Sequence, residues 1–259
     1  MKTIDGGAFA GNNYTLMKIS IITATFNSEK VIQRLINSLR AQSVKDFEWI
    51  VCDGASTDST LEILKKVNDL NLRISSESDF GIYDALNKGI KLSKCDYYIV
   101  IGSDDWFEAD AIEKFVKEID GHSSVITAPF VCNKKIQRLS KLPRCFSGYR
   151  RNIFGHSVAT LFRKKLHEKY GYYSNKYPIA ADYEFMVKVI INNENIKVCN
   201  FVAGEFSLGG ISSNDFIGAS TEVMRIMISN GFSLSLQTLI FLVRLIRIYV
   251  IYLLRLRNR

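Results

Sequence analysis

The apolar residues of the first half fall into short runs separated by polar turns. Residues 18–25 (KISIITAT) form a β-branched apolar run that predicts a buried strand, and 47–52 (FEWIVC), 72–75 and 97–101 (YYIVI) predict three more. Between them the apolar spacing becomes helical. Val31, Leu35, Ile36 and Leu39 recur at that spacing behind Ser28, a residue with N-cap chemistry. Residues 61–67, 81–92 and 109–119 read the same way. Strands alternating with helices across short connections predict an α/β fold, Rossmann-like, with a mostly parallel, right-handed sheet flanked by helices. In such sheets ligands sit beyond the carboxyl ends of the strands.

The second half is less regular. Residues 125–131 and 198–206 are strand-like, 182–191 read as an amphipathic helix, 209–214 as a turn, and 215–229 and 233–257 as helices. Residues 134–169 are basic, with eleven Lys or Arg against the single acid Glu168. In the last helix the longest apolar run is seven residues, 248–254, far short of the roughly twenty needed to span a bilayer. At about 100° per residue, Gln237, Arg244, Arg247 and Arg255 share one narrow stripe, with Leu, Ile, Phe and Tyr elsewhere. A wide apolar face, an arginine stripe and basic ends suit a helix lying in an anionic membrane surface. The alternative is a helix docked on the protein or in a dimer, with its arginines outward.

Composition narrows the class. The 259 residues are 47% apolar and 23% charged, which excludes disorder and a polytopic membrane protein. The net charge is +8, and six arginines from Arg225 to Arg259, with no acid among them, carry most of the excess. The body is therefore close to neutral, against a nucleic-acid partner. Five scattered cysteines without a C-x-x-C pair predict reduced, intracellular thiols, with neither a disulfide framework nor a structural zinc site. Residues 1–16 lack the apolar segment of a signal peptide and read as an extension before Met17.

The candidate chemistry lies at strand ends. No G-x-G-x-x-G follows the first strand, so a dinucleotide site is disfavoured, and G-K-[ST], H-E-x-x-H and G-x-S-x-G are also missing. Acids occupy the turns instead: Asp53 and Asp58 after the second strand, Asp104 and Asp105 after the fourth. Such hard oxygen ligands suit Mg²⁺ or Mn²⁺. Bland alternatives stand beside each: Asp53 as a turn residue, Asp58 as a helix N-cap, and Asp104 or Asp105 capping the helix that follows. Asp182 and Glu184 also suit a solvated helix start, where acids complement the dipole.

Five ordered segments, 20–27 (SIITATFN), 51–58 (VCDGASTD), 77–89 (ESDFGIYDALNKG), 102–105 (GSDD) and 181–184 (ADYE), resemble the inverting family-two glycosyltransferases of GT-A fold, nearest to the bacterial polysaccharide-building branch. The resemblance implies a GT-A domain over 17–214, with a nucleotide-sugar-binding half (17–120) and an acceptor half (121–214), followed by a helical, membrane-associating tail (215–259). It assigns Thr23, Thr25 and Asp53 to the base and ribose, and Glu77, Asp79 and Asn87 to the donor. Asp104 falls to a Mn²⁺ or Mg²⁺ ion on the diphosphate, with His156 beside it, and Asp182 becomes the catalytic base. Tyr83 and Leu86 read as core, Glu184 as the runner-up base, and Arg150 and Arg151 as phosphate partners or surface charge. Two positions depart from the family pattern: Gly102 replaces the first acid of D-x-D, and Ala181 replaces an acid before Asp182. The processive Q-x-x-R-W segment is absent.

The implied activity is a non-processive transfer of one sugar from a UDP- or dTDP-linked donor to a glycan or lipid-linked acceptor, at the cytoplasmic face of the cell membrane. The alternatives are a catalytically inactive nucleotide-sugar-binding or scaffold subunit of a polysaccharide assembly complex, and a peripheral membrane module without a nucleotide site.

Overall fold

The computed structural model describes residues 19–208 and 215–257. The extension at residues 1–16, the turn at 209–214 and the side chain of Arg255 therefore lie outside the described residues. The main sheet holds β1 (Ile19–Thr25), β2 (Phe47–Asp53), β3 (Leu72–Ser76), β4 (Tyr97–Val100), β6 (Val125–Thr127), β9 (Thr160–Arg163) and β10 (Ile196–Val198), in the order β10-β6-β9-β4-β1-β2-β3. Only β9 runs antiparallel to its neighbours, β4 and β6. A smaller sheet joins β5 (Trp106–Phe107), β7 (Val131–Cys132), β8 (Lys135–Ile136) and β11 (Gly204–Phe206), in the order β5-β11-β7-β8.

The central strands are apolar on both faces because helices cover both. On one face α1 (Ile32–Arg40), α2 (Thr60–Lys65) and α4 (Ala111–Glu118) meet Ile19, Ile21, Trp49 and Val51. The other face carries α3 (Ile82–Leu92), α6 (Lys165–Tyr170), α7 (Ala181–Ile191) and α8 (Phe216–Ser229), packed on Ile22, Tyr98, Val100 and Phe162. Burying each such Leu, Ile or Phe contributes roughly 1.5–3 kcal/mol. A short α5 (Arg144–Ser147) runs into a 3₁₀ turn (Gly148–Arg151), and α9 (Leu234–Arg257) closes the chain.

Three elements differ from the sequence reading. The run at 125–131 divides after Thr127, and its two parts enter different sheets; Pro129, which has no backbone N–H, lies in the gap. The run at 198–206 divides likewise into β10 and β11. Strand β9 lies unforeseen within the basic segment, because only its Leu161 and Phe162 are large and apolar.

The terminal helix is seated on the body through its first turns, with its polar stripe inward where a docked helix was expected to turn its arginines outward. Gln237 is buried and donates through Nε2 to the Cys145 carbonyl at 2.9 Å. Arg244 is half-buried, close enough for its charge to act on the Tyr183 hydroxyl. The polar stripe thus begins against the body, while Leu239, Leu242, Val243, Ile246, Tyr249 and Val250 are exposed. Among the described residues no helix is long and apolar enough to cross a membrane.

Candidate active site

Four parallel strands, β3, β2, β1 and β4, end at one edge of the sheet, and the acid-bearing turns follow those ends. Asp53 closes β2 with a buried carboxylate that accepts from Ser56 N (3.0 Å), Ser56 Oγ (2.5 Å) and Ser76 Oγ (2.7 Å). Beside it in register, Thr25 keeps a buried hydroxyl that finds no hydrogen-bond partner among the described residues. Thr23 is fully buried, and its hydroxyl accepts from Trp49 Nε1 at 3.0 Å. Asn27 stitches the first two turns together, its N–H donating to Ser56 Oγ (2.8 Å) and its Oδ1 accepting from Thr57 N (2.9 Å). Asp58 precedes the N-cap of α2, Ser59, and accepts from Thr60 N at 3.0 Å and from Glu29 N at 3.1 Å, so it braces the first two turns together rather than capping the helix as expected.

The turn after β3 leans on that of β2. Asp79 accepts from Gly81 N at 2.9 Å, and its Oδ2 lies 2.8 Å from where a Cβ on residue 54 would stand, so Gly54 is what permits the approach. Glu77 pairs with Lys88 at 3.4 Å. The Asn87 amide spans the backbone of Tyr173, donating to its carbonyl (2.8 Å) and accepting from its N–H (3.0 Å). Those polar atoms are thereby committed to holding the 171–177 loop against α3.

At the end of β4, Asp104 and Asp105 part company. Asp105 is fully buried and accepts from Gly102 N (3.1 Å), Ser157 Oγ (2.9 Å) and Ser207 N (2.8 Å). Burial pushes its carboxyl up to about 6. Asp104 is half-buried, and among the described residues no donor reaches its carboxylate. Neither caps a helix, because β5 follows at once and α4 starts only after Asp110. A Cβ on residue 102 would lie 2.9 Å from both Asp104 Oδ1 and Asp105 Oδ2. The glycine therefore leaves room for two carboxylates at one bend. Ser28 and Ser103, 3.0 Å apart through their hydroxyls, tie this turn to the first.

An unclaimed carboxylate at a strand end is the donor a hard divalent cation takes when water and phosphate oxygens complete its shell. Asp104 fits that role. Among the described residues no group of three or more His, Cys, Asp or Glu side chains forms a metal cage. His156 stands in a different setting. Its Nε2 meets Tyr173 Oη at 2.5 Å, Tyr173 Oη meets Tyr98 Oη at 2.9 Å, and Tyr98 Oη meets His167 Nε2 at 2.6 Å. The chain has one direction. His167 Nδ1 sits 3.1 Å from the Gly171 carbonyl, which can only accept, and burial holds the ring's pKa down at about 4, so the neutral ring must accept at Nε2. Tyr98 then donates to His167, Tyr173 to Tyr98, and His156 Nε2–H to Tyr173, which leaves His156 Nδ1 with the lone pair.

Asp182 lies in the first turn of α7. Tyr83 Oη, one residue into α3, stands 2.6 Å from Asp182 Oδ1 and 2.9 Å from the Ile179 carbonyl. Tyr83 lies four residues beyond Asp79, so this contact ties Asp182 to the segment that follows β3. Glu222 of α8 holds the approach to α7, accepting from Ile179 N (3.0 Å) and Ala180 N (2.8 Å). Glu184 pairs with Lys188 at 3.1 Å. Arg151 donates to the Leu142 carbonyl at 3.1 Å, whereas Arg150 is exposed and within reach of the Asp182 charge. Sequence reasoning missed Tyr83, Tyr173, Glu222 and the anchoring role of Asp105. The available signal was a set of polar atoms on otherwise buried faces, each needing a partner.

Parallel strands, an acidic rim at their carboxyl ends and helices on both faces define a GT-A-type glycosyltransferase architecture. The chain belongs to glycosyl transferase family 2, whose model matches residues 20–176. It is 30% identical over 182 residues to the PGL/p-HBAD biosynthesis glycosyltransferase of Mycobacterium tuberculosis, an alignment that covers 67% of this chain and 70% of that one. The crystal structure of Staphylococcus aureus TarS 1–349 superposes with a TM-score of 0.67 at 25% identity, over 88% of this chain and 71% of that one. TarS is a poly(ribitol-phosphate) β-N-acetylglucosaminyltransferase. Its complexes with UDP (26% identity, 87% of this chain, 70% of that one) and with UDP-GlcNAc (25%, 88% and 72%) each give a TM-score of 0.65.

Proposed function

We propose that this protein is an inverting, non-processive glycosyltransferase that moves one sugar from a UDP-linked donor to a glycan or lipid-linked acceptor in surface polysaccharide synthesis. The carrying observation is the strand-end rim itself, with Asp104 unclaimed and Asp182 tied through Tyr83 to the segment that follows β3. The UDP and UDP-GlcNAc complexes of TarS support the donor class.

Residues 17–120 hold the donor and 121–214 the acceptor. Asp53 and the free Thr25 hydroxyl meet base and ribose, while Thr23, bound to Trp49, shapes the wall behind them. Glu77 and Asp79 frame the donor, and Asn87 acts one step back by holding the 171–177 loop against α3. Asp104 would hold a Mn²⁺ or Mg²⁺ ion, whose charge would offset that of the leaving diphosphate. His156 Nδ1 is the ring atom with a lone pair, and it would serve as the nitrogen donor to that ion. Asp182 takes the proton of the acceptor hydroxyl as that oxygen attacks the anomeric carbon opposite the departing phosphate. The outward apolar face of α9, with the exposed Arg247 next to Ile246, rests on an anionic membrane, so the enzyme works as a peripheral protein on the inner face of the cell membrane.

The test is transfer of radiolabelled sugar from UDP-GlcNAc and UDP-glucose to membrane lipid extract, with and without Mn²⁺. The wild type transfers label. Asp182→Asn loses at least roughly a hundredfold in rate and keeps its thermal shift with UDP. UDP binding without turnover in the wild type would favour an inactive binding subunit instead. Absence of any UDP–Mn²⁺ shift would leave only a membrane module.

A further inference from the structure

Helices α3 and α7 share one apolar cluster, and across it the Tyr83 hydroxyl reaches the Asp182 carboxylate. Tyr83 is buried, and its Oη has two acceptors, Asp182 Oδ1 at 2.6 Å and the Ile179 carbonyl at 2.9 Å. Among the described residues no other donor reaches the Asp182 carboxylate. One proton therefore serves two acceptors, and the charged one attracts it more strongly.

We propose that Tyr83 is a positioning residue for Asp182: its hydroxyl occupies Oδ1, fixes the plane of the carboxylate, and leaves Oδ2 as the edge that receives the acceptor's proton. This rests on the reading of Asp182 as the base. During transfer the acceptor O–H bond breaks, its proton goes to Oδ2, the new C–O bond forms at the anomeric carbon, and the bond to the nucleoside diphosphate breaks. The Tyr83 proton is not consumed. As Oδ2 becomes protonated and the charge on the carboxyl vanishes, that proton turns towards the Ile179 carbonyl. Burial and the neighbouring Asp182 hold the Tyr83 phenol well above its ordinary pKa, so it stays a donor throughout the working range.

The arrangement also joins the two ends of the reaction. Helix α3 follows the donor segment directly, and Lys88 on it pairs with Glu77 (3.4 Å) and Asp84 (3.2 Å). The same helix, one residue in, carries the hydroxyl that sets the base. Other groups face this carboxylate too: Tyr149 and Arg150 from the 3₁₀ turn, His156 and Tyr173 from the hydroxyl–imidazole chain, and Glu222 of α8 through its field on Tyr83. Among the described residues none of them hydrogen-bonds to the Asp182 carboxylate, so Tyr83 acts on it by direct contact and the others through space.

Two substitutions test the role in opposite directions. Tyr83→Phe keeps the ring and removes the donor. Replacing Tyr83 by 3-fluorotyrosine keeps the shape and strengthens the donor. With UDP-GlcNAc and lipid extract, Tyr83→Phe lowers kcat about tenfold or more, leaves the donor KM within twofold, and moves the acid limb of the kcat profile to higher pH, because a carboxylate that loses a donated hydrogen bond holds its proton longer. The fluorinated protein moves that limb to lower pH. A ¹³C-carboxyl titration of the apo protein reads the same pair of opposite displacements at Asp182 without any substrate. Unchanged titration in both variants overturns the proposal. Should Asp182→Asn turn over normally, the base itself is wrong; should Asp182→Asn be inactive while Tyr83→Phe matches the wild type in kcat and pH profile, only the positioning role falls.

Discussion

At the residue scale, the bend after β4 shows how a departure from a family pattern is accommodated. Gly102 stands where the resemblance led us to expect an acid, and the space it leaves is filled by the oxygens of Asp104 and Asp105. Gly102→Ala forces the buried Asp105 to shift. The expected outcome is a stability loss of about 1–3 kcal/mol, together with loss of the Mn²⁺-dependent part of UDP affinity, measured by calorimetry with and without the metal. The strand-end acids were legible in the sequence because a carboxylate directly after an apolar run has few structural excuses. Their division of labour was not. Whether Asp104 or Asp105 turns inward depends on Ser157 and Ser207, which lie 52 and 102 residues away from Asp105.

At the element scale, the alternation of strands and helices through residue 119 was readable because each period is local. Strand β9 was not, since its pairing with β4 and β6 is fixed by the sheet and only weakly by its own side chains. Helix α3 shows a related limit. Tyr83 and Leu86 were rightly assigned to its core face, but a buried ring says nothing of where its hydroxyl goes. Helix α9 inverts the simple expectation for a docked helix, with Gln237 inward and a row of apolar residues outward. Substituting both Leu242 and Ile246 by Glu removes two exposed apolar contacts, each worth roughly 1.5–3 kcal/mol when buried. Cosedimentation with vesicles containing anionic lipid is expected to fall at least tenfold, without a change in thermal stability.

For the whole molecule, acid sensitivity follows from groups buried in unusual states. His167 titrates at about 4 when folded and near its ordinary value when unfolded, so the unfolded chain binds more protons between those limits. Stability is then lost as pH falls through that window, by roughly 2–3 kcal/mol. Asp105, raised to about 6, acts with the opposite sign over part of the same range, gaining stability as it protonates. Glu194, held down at about 2 in a setting where Lys169, Tyr170 and Ser124 donate to it, adds its loss only below the ordinary Glu range. His167→Gln is expected to flatten the decline in urea-unfolding free energy between pH 7 and 4.5 relative to the wild type.

The bond from Gln237 to the Cys145 carbonyl also has a practical side. The thiols of Cys52, Cys95 and Cys199 are buried, and burial pushes them to about 12, 11 and 11, which makes them poor nucleophiles. Cys145 is half-buried, directly where the terminal helix is seated. With Cys132, which is also half-buried, replaced by Ser, a maleimide dye would therefore sample that seat with little competition from those three sites, and its labelling rate would serve as a gauge of how often the helix lifts away.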